Sequence, residues 1–218
     1  MTWTYYWASG GHAAQPLYNQ FQYNGCYVGC GPVAWAMLFC WADWQAANGN
    51  AYWAPRWGLY RENGGRGNNV VAPLTQDTGV SNIIKEINGQ VGTFCITGSG
   101  ATLPSSMGGA SAYLSGRTGT SLGTHYNVLG ISEDRLREYA RNSIRDRATP
   151  AVIGTGWLTH YPMAYGYAWQ QRTVRHEFLF WSWEETVYDR WFYVNQGWGG
   201  SGNGWVSADT WFAGEIYP

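Results

Sequence analysis

Lysine is nearly missing from this chain: Lys85 is its only one, against twelve arginines in 218 residues. Charged residues make up 12% of the whole and the formal net charge is −1. That balance excludes a solvated disordered tail and gives no basic field to gather nucleic acid. Long apolar runs are missing as well. Gly, Asn and Arg interrupt every stretch short of the roughly 18 to 20 residues a membrane-spanning helix needs, so no membrane partner is expected. Cysteine is sparse, at positions 26, 30, 40 and 95, with no CxxC pair, and His12, His125, His160 and His176 do not flank those thiols at zinc spacing. No metal and no cofactor is expected. The opening stretch MTWTYYWASGGHAAQPLYNQ has no basic segment followed by an apolar one, and so no signal peptide. No internal repeat is present.

The chain is rich in rings and turns: 15 Trp, 16 Tyr and 30 Gly, with 45% apolar residues. This composition predicts a Trp-rich packed core joined by many glycine turns, in one compact unit over 1–218. Gly31-Pro32 opens VAWAMLFCWADWQAA, a helix with proline in its first turn, and puts Cys30 at the helix N-terminus. A second helix is predicted around VSNIIKEING, capped by Thr78 and closed by Gly89. Residues 98–123 read as a long Gly/Ser-rich surface connection. SEDRLREYARNSIRDRATP is a helix capped by Ser132, its arginines a solvated face. Five aromatic and β-branched runs follow, starting at 151, 160, 173, 185 and 204, and predict antiparallel strands. Helices first and strands last imply an α+β fold, with a mainly helical lobe over 1–115 and a β-rich sheet or barrel lobe over 116–218.

A thiol attacks as thiolate, and the unpaired N–H groups of a helix N-terminus favour that form. Among the four cysteines Cys30 alone has this place. Its own N–H would also lie where an oxyanion needs a donor. Cys40 falls in the helix interior as a small core residue, while Cys26 and Cys95 are either buried thiols or a disulfide. A base must accompany the thiol, and two His-Tyr sites compete. His125 precedes the arginine-rich helix. His160 begins a strand of the sheet that later carries Asn195, able to orient an imidazole, and Trp198, able to cover that hydrogen bond from water. Pro162 calls for a bulge or a sheet edge just after the histidine. His12 and His176 read as ordinary satisfied or exposed histidines.

The order GCGPVAWAML, TPAVIGTGWLTHYPMAYGY, FYVNQGWGGSGNGWVSADTW resembles the papain-like cysteine peptidases, nearest to streptopain-type enzymes and to bacteriocin-processing CGP peptidases. The resemblance rests on Gly29-Cys30, Ala34 and Ala36, on His160 with Gly166-Tyr167, on Asn195-x-Gly-Trp198-Gly-Gly, and on Cys30-Gly31-Pro32. It implies the papain-like two-lobed fold, with Cys30 as nucleophile, His160 as base and then acid, Asn195 as orienting residue and Trp198 as shield. The resemblance also implies a side-chain amide as second oxyanion donor. Gln22 with Cys30 is preferred for it, with Asn24 as the alternative, and Gln20 serves in a reading that makes Cys26 the nucleophile. A peptide or protein substrate, a pro-segment or inhibitor, a secreted mature domain and a monomer follow as expectations. Two other classes use the same residues differently. The triad would serve acyl transfer equally well, and the many Trp and Tyr rings could instead make a carbohydrate- or partner-binding module.

Overall fold

The computed structural model describes residues 2–53, 71–114 and 120–218. In chain order the elements are β1 (Thr4–Trp7), β2 (Gln22–Tyr23), β3 (Cys26–Tyr27), α1 (Cys30–Ala47), α2 (Thr78–Gln90), β4 (Phe94–Ile96), β5 (Ser99–Ala101), α3 (Ser111–Leu114) and β6 (Ser121–Tyr126). Then come α4 (Asp134–Arg147), β7 (Ala151–Ile153), β8 (Met163–Phe178), β9 (Trp181–Asn195), β10 (Gly204–Ser207) and β11 (Phe212–Tyr217). The fold mixes helices with a seven-stranded antiparallel sheet in the order β10-β9-β8-β7-β11-β6, with β1 pairing β8 beyond the end of β7. The expected lobe boundary near residue 115 lies outside the described residues. The first strand does not stay with the helices: Thr4–Trp7 is hydrogen-bonded to Gly166–Trp169 of the sheet.

Helix α1 is apolar on every side, and 15 of its 18 residues are buried, so it runs through the core rather than over it. It begins at Cys30, as expected, because Gly29 before it holds φ 93° and ψ 149°, a backbone that side chains do not tolerate. Trp35, Phe39 and Tyr113 then stack in series, with ring centroids 5.5 Å apart at each step. The two other helices start one residue away from their expected caps. Asp77, not Thr78, accepts the Val80 N–H at 2.7 Å, a charged acceptor displacing a hydroxyl. Glu133, not Ser132, stands before α4. Gly89 lies inside α2, and the left-handed residue after that helix is Gly92.

Residues 98–114 and 120–123 are not an open connection. They contain β5, a 3-10 turn over Pro104–Ala110, α3 and the start of β6, with Met107, Ala110, Tyr113 and Leu114 buried. Glycine there serves close approach: a Cβ on Gly100 would lie 2.3 Å from the Tyr27 carbonyl oxygen. A disulfide between Cys26 and Cys95 ties hairpin β2–β3 to hairpin β4–β5. The expected strands shift too. The run from 160 becomes a strand only at Met163, once Pro162 is past, and the register slips between Ala164 and Gly166. The runs at 173 and 185 are halves of one long hairpin, β8–β9, which turns at Leu179-Phe180. The stretch from 204 ends at Ser207, and β11 adds a strand the pattern did not announce.

Candidate active site

The thiol of Cys30 sits at the first residue of α1, half-buried against the core. The main-chain N–H groups of Tyr161, of Cys30 itself and of Gly31 act electrostatically on it. Burial pushes the thiol pKa up, and the three N–H groups oppose that rise without cancelling it. Burial thus works against the thiolate form that the helix terminus favours.

Tyr161 follows His160 in the loop between β7 and β8. His160 is pinned there by its carbonyl, which accepts the Thr155 N–H at 2.9 Å. Its Nε2 lies 3.0 Å from the carbonyl oxygen of Gln196. A carbonyl only accepts, so Nε2 bears the proton and Nδ1 is left as the basic nitrogen. Burial lowers the His160 pKa, while the Gln196 backbone and side chain both work to raise it. The indole of Trp198 leans over the imidazole at 5.1 Å between centroids and 33° between planes. Trp198 is 45% exposed, so it covers the ring from the solvent side rather than filling the core.

Asn195, at the end of β9, is fully buried, but its amide is used elsewhere. Nδ2 donates to the Pro16 carbonyl at 2.6 Å, and Oδ1 accepts the Gly197 N–H at 3.1 Å. It shapes the turn whose next residue holds the imidazole. Gly197 has φ 72°, and a Cβ there would lie 2.9 Å from Val33 Cγ1, so the loop packs directly on the first turns of α1. The Gly199 N–H donates to the Tyr18 carbonyl at 2.9 Å, and Asn19 makes a β-bridge to Trp198. His160, Gln196 and Trp198 thus come together, and the main chain of Tyr161, next to His160, lies near the Cys30 sulfur. Gln196 was missed from the sequence because its principal contact is a main-chain oxygen, which any residue could offer.

The expected amides lie elsewhere. Gln22 and Asn24 are exposed on the β2–β3 hairpin and, with Gln20, Asp77, Ser81 and Lys85, line an open groove of about 880 Å³ whose walls do not include Cys30. Cys26 is spent in the disulfide, which removes the reading that made it the nucleophile. Cys40 is buried within α1, and burial drives its pKa far up. His125 stacks on Tyr139 with centroids 3.5 Å apart, at the opposite end of the sheet on β6. His176 faces Glu185 on the outer hairpin, and His12 meets the Tyr165 hydroxyl at 3.1 Å. Among the described residues no three His, Cys, Asp or Glu side chains cluster to hold a metal, and no helix is long and apolar enough to cross a membrane. Trp3, Tyr5, Trp191 and Trp205 line a separate apolar cleft of about 260 Å³.

No protein-family model and no curated protein matches the chain. One solved structure, a cysteine-to-alanine fragment of Prevotella intermedia prointerpain A, aligns with a TM-score of 0.46 and 12% identity, covering 93% of this chain and 72% of that one. At that level of likeness the functional reading rests on the geometry of the side chains.

Proposed function

We propose that this chain is a papain-like cysteine peptidase in which Cys30 is the nucleophile and His160 the base. The geometry that supports the reading is an imidazole fixed through Nε2 by Gln196 and covered by Trp198, in the residue before Tyr161, whose main chain acts on the thiol at the start of α1. His160 Nδ1 takes the thiol proton as sulfur attacks a peptide carbonyl, and returns it to the leaving amine. Water then opens the thioester with the same imidazole as base. A raised thiol pKa beside a lowered imidazole pKa means a neutral resting pair, so proton transfer accompanies attack rather than preceding it. The Cys30 N–H at the helix start is the oxyanion donor. Gln196 holds the imidazole in place of Asn195, which acts one step back by fixing the turn.

The groove beside Asn19 to Asn24 borders the strand that bridges Trp198 and would receive a peptide or protein substrate, or a pro-segment. The Cys26–Cys95 disulfide fits a protein working in an oxidising, extracellular setting. The two-lobed division around the cleft belongs to this proposal, as does the monomeric state. Acyl transfer to an amine would use the same residues. The test is turnover of denatured casein and of a fluorogenic peptide mixture by the wild type and by Cys30→Ala. The proposal expects thiol-dependent cleavage in the first and none in the second, with unchanged circular dichroism. Equal cleavage by both would overturn it.

A further inference from the structure

On the face of the sheet that carries α4, the helix and the base of the long hairpin enclose a cavity of about 240 Å³. Arg141 and Arg145 enter from α4, one turn apart, and Arg190 from β9. The remaining walls are rings: Tyr6 stacked on Tyr167 at 6.3 Å, and Trp169 against Tyr188 at 6.1 Å. No lining residue is acidic.

The three guanidinium groups are not equivalent. Arg141 pairs with Glu138, and Arg145 makes a two-pronged pair with Asp146 at 2.6 and 2.8 Å. Arg190 rests on the Tyr188 ring, 5.0 Å from its centroid, and among the described residues it has no carboxylate partner. Asp189 accepts from Arg172 at 2.9 Å, while Asp209 accepts from the Ser207 hydroxyl at 2.8 Å and shares Arg137 with Asp134. With Arg141 and Arg145 paired, Arg190 is the guanidinium of the lining that has no carboxylate partner. Burial raises the pKa of the Tyr167 hydroxyl; Arg190, Arg141 and Arg137 oppose that rise, and Glu138 adds to it.

We infer that this cavity is a binding site for a single carboxylate presented next to an aromatic ring, as in an acidic-aromatic stretch of polypeptide. A guanidinium fork matches a carboxylate in two parallel hydrogen bonds, and the ring walls offer stacking faces to the neighbouring group. The volume is below the usual range for a whole small-molecule ligand, so it takes two side chains of a longer one. One unpaired guanidinium favours a monoanion over a phosphate ester. The site stands apart from Cys30 and His160, and its test reads binding alone, so it and the peptidase proposal can fail separately.

The test is isothermal titration of the full chain with a capped Gly-Ser-Phe-Glu-Ser-Gly peptide, its Phe-Gln counterpart, the corresponding phosphoserine peptide, and 3-phenylpropionate. The Glu peptide should bind at least about tenfold more tightly than the Gln and phosphoserine peptides, the size of one charge-assisted hydrogen bond. 3-Phenylpropionate, which has the same two groups, should displace it. Arg190→Gln should remove the Glu-over-Gln preference, and Arg190→Lys should restore part of it. Arg145→Gln, whose side chain already has a partner, should weaken binding less than Arg190→Gln. Equal binding of the Glu and Gln peptides, a preference that survives Arg190→Gln, tighter binding of the phosphopeptide, or no displacement by 3-phenylpropionate would overturn the assignment.

Discussion

The long β8–β9 hairpin is two structures on one pair of strands. Its inner half, Met163–Trp169 against Trp191–Asn195, is flanked by β1, β7 and β10, and it places Asn195 and Gln196 beside His160. Its outer half, from Gln170↔Asp189 to Phe178↔Trp181, pairs only with itself. Both halves are rich in aromatic and β-branched residues, yet Phe192 is fully buried and Phe180 is 98% exposed. Strand propensity therefore extends the hairpin, whereas burial decides which part of it builds the site. The outer half also has a residue where a tight turn favours Asn or Gly: Leu179 sits at φ 54°. At its tip one face carries Phe178, Trp181, His176 and Trp183 and the other Glu177, Ser182, Arg175 and Glu184, with no further strand paired to either edge.

This contrast can be broken most severely from the inside. Phe192→Ala empties a filled core position and should cost about 3–5 kcal/mol, read as a fall in Tm. Replacing residues 172–187 by Asn-Gly, which removes most of the outer arm, should leave Tm within a few degrees and leave peptide turnover unchanged. Next in size is Asn195→Ala. It strands the Pro16 carbonyl and the Gly197 N–H in a buried site, at a cost of about 1–3 kcal/mol, and should lower kcat more than it raises KM. Trp198→Ala admits water to the imidazole. Burial now lowers the His160 pKa, so hydration should raise it toward the ordinary value and move the acid limb of the rate profile to higher pH.

Stability carries the same signature. Below a pH of about 6.5, the value for a free histidine, the unfolded chain binds a proton that folded His160 resists. Stability from this residue is thus present above that pH and lost as pH falls, and His125, also lowered by burial, adds in the same direction. His160→Gln should shrink the Tm difference between pH 7.5 and pH 5.5. The smallest change expected is at the arm's tip: Leu179→Gly relieves the left-handed backbone and should gain about 1 kcal/mol at most, with no effect on turnover.

The placement of two candidate residues was legible from local backbone signals. The start of α1 at Cys30 follows from Gly29, Gly31 and Pro32, and the loop position of His160 follows from Pro162. The holding of the imidazole was not legible, since the Gln196 carbonyl has no residue signature, and Asn195 looked suited to a task that its neighbour performs. The burial of the thiol was not legible for a related reason. A helix terminus can be read from sequence, but the burial that outweighs it depends on how Tyr161 and the core close over the sulfur. Residues 98–123 looked like a connection because glycines that serve close backbone packing are indistinguishable, in one sequence, from glycines that serve flexibility.

The proposed convergence of the Cys30 sulfur and the His160 imidazole is open to direct chemical measurement. Treatment with 1,3-dibromoacetone, followed by digestion and mass spectrometry, joins a thiol to a nucleophile within reach of a three-carbon bridge. The account predicts a cross-linked pair of peptides containing Cys30 and His160, absent in His160→Ala. A bridge from Cys30 to some other side chain, or simple alkylation of Cys30 with His160 untouched, would contradict it.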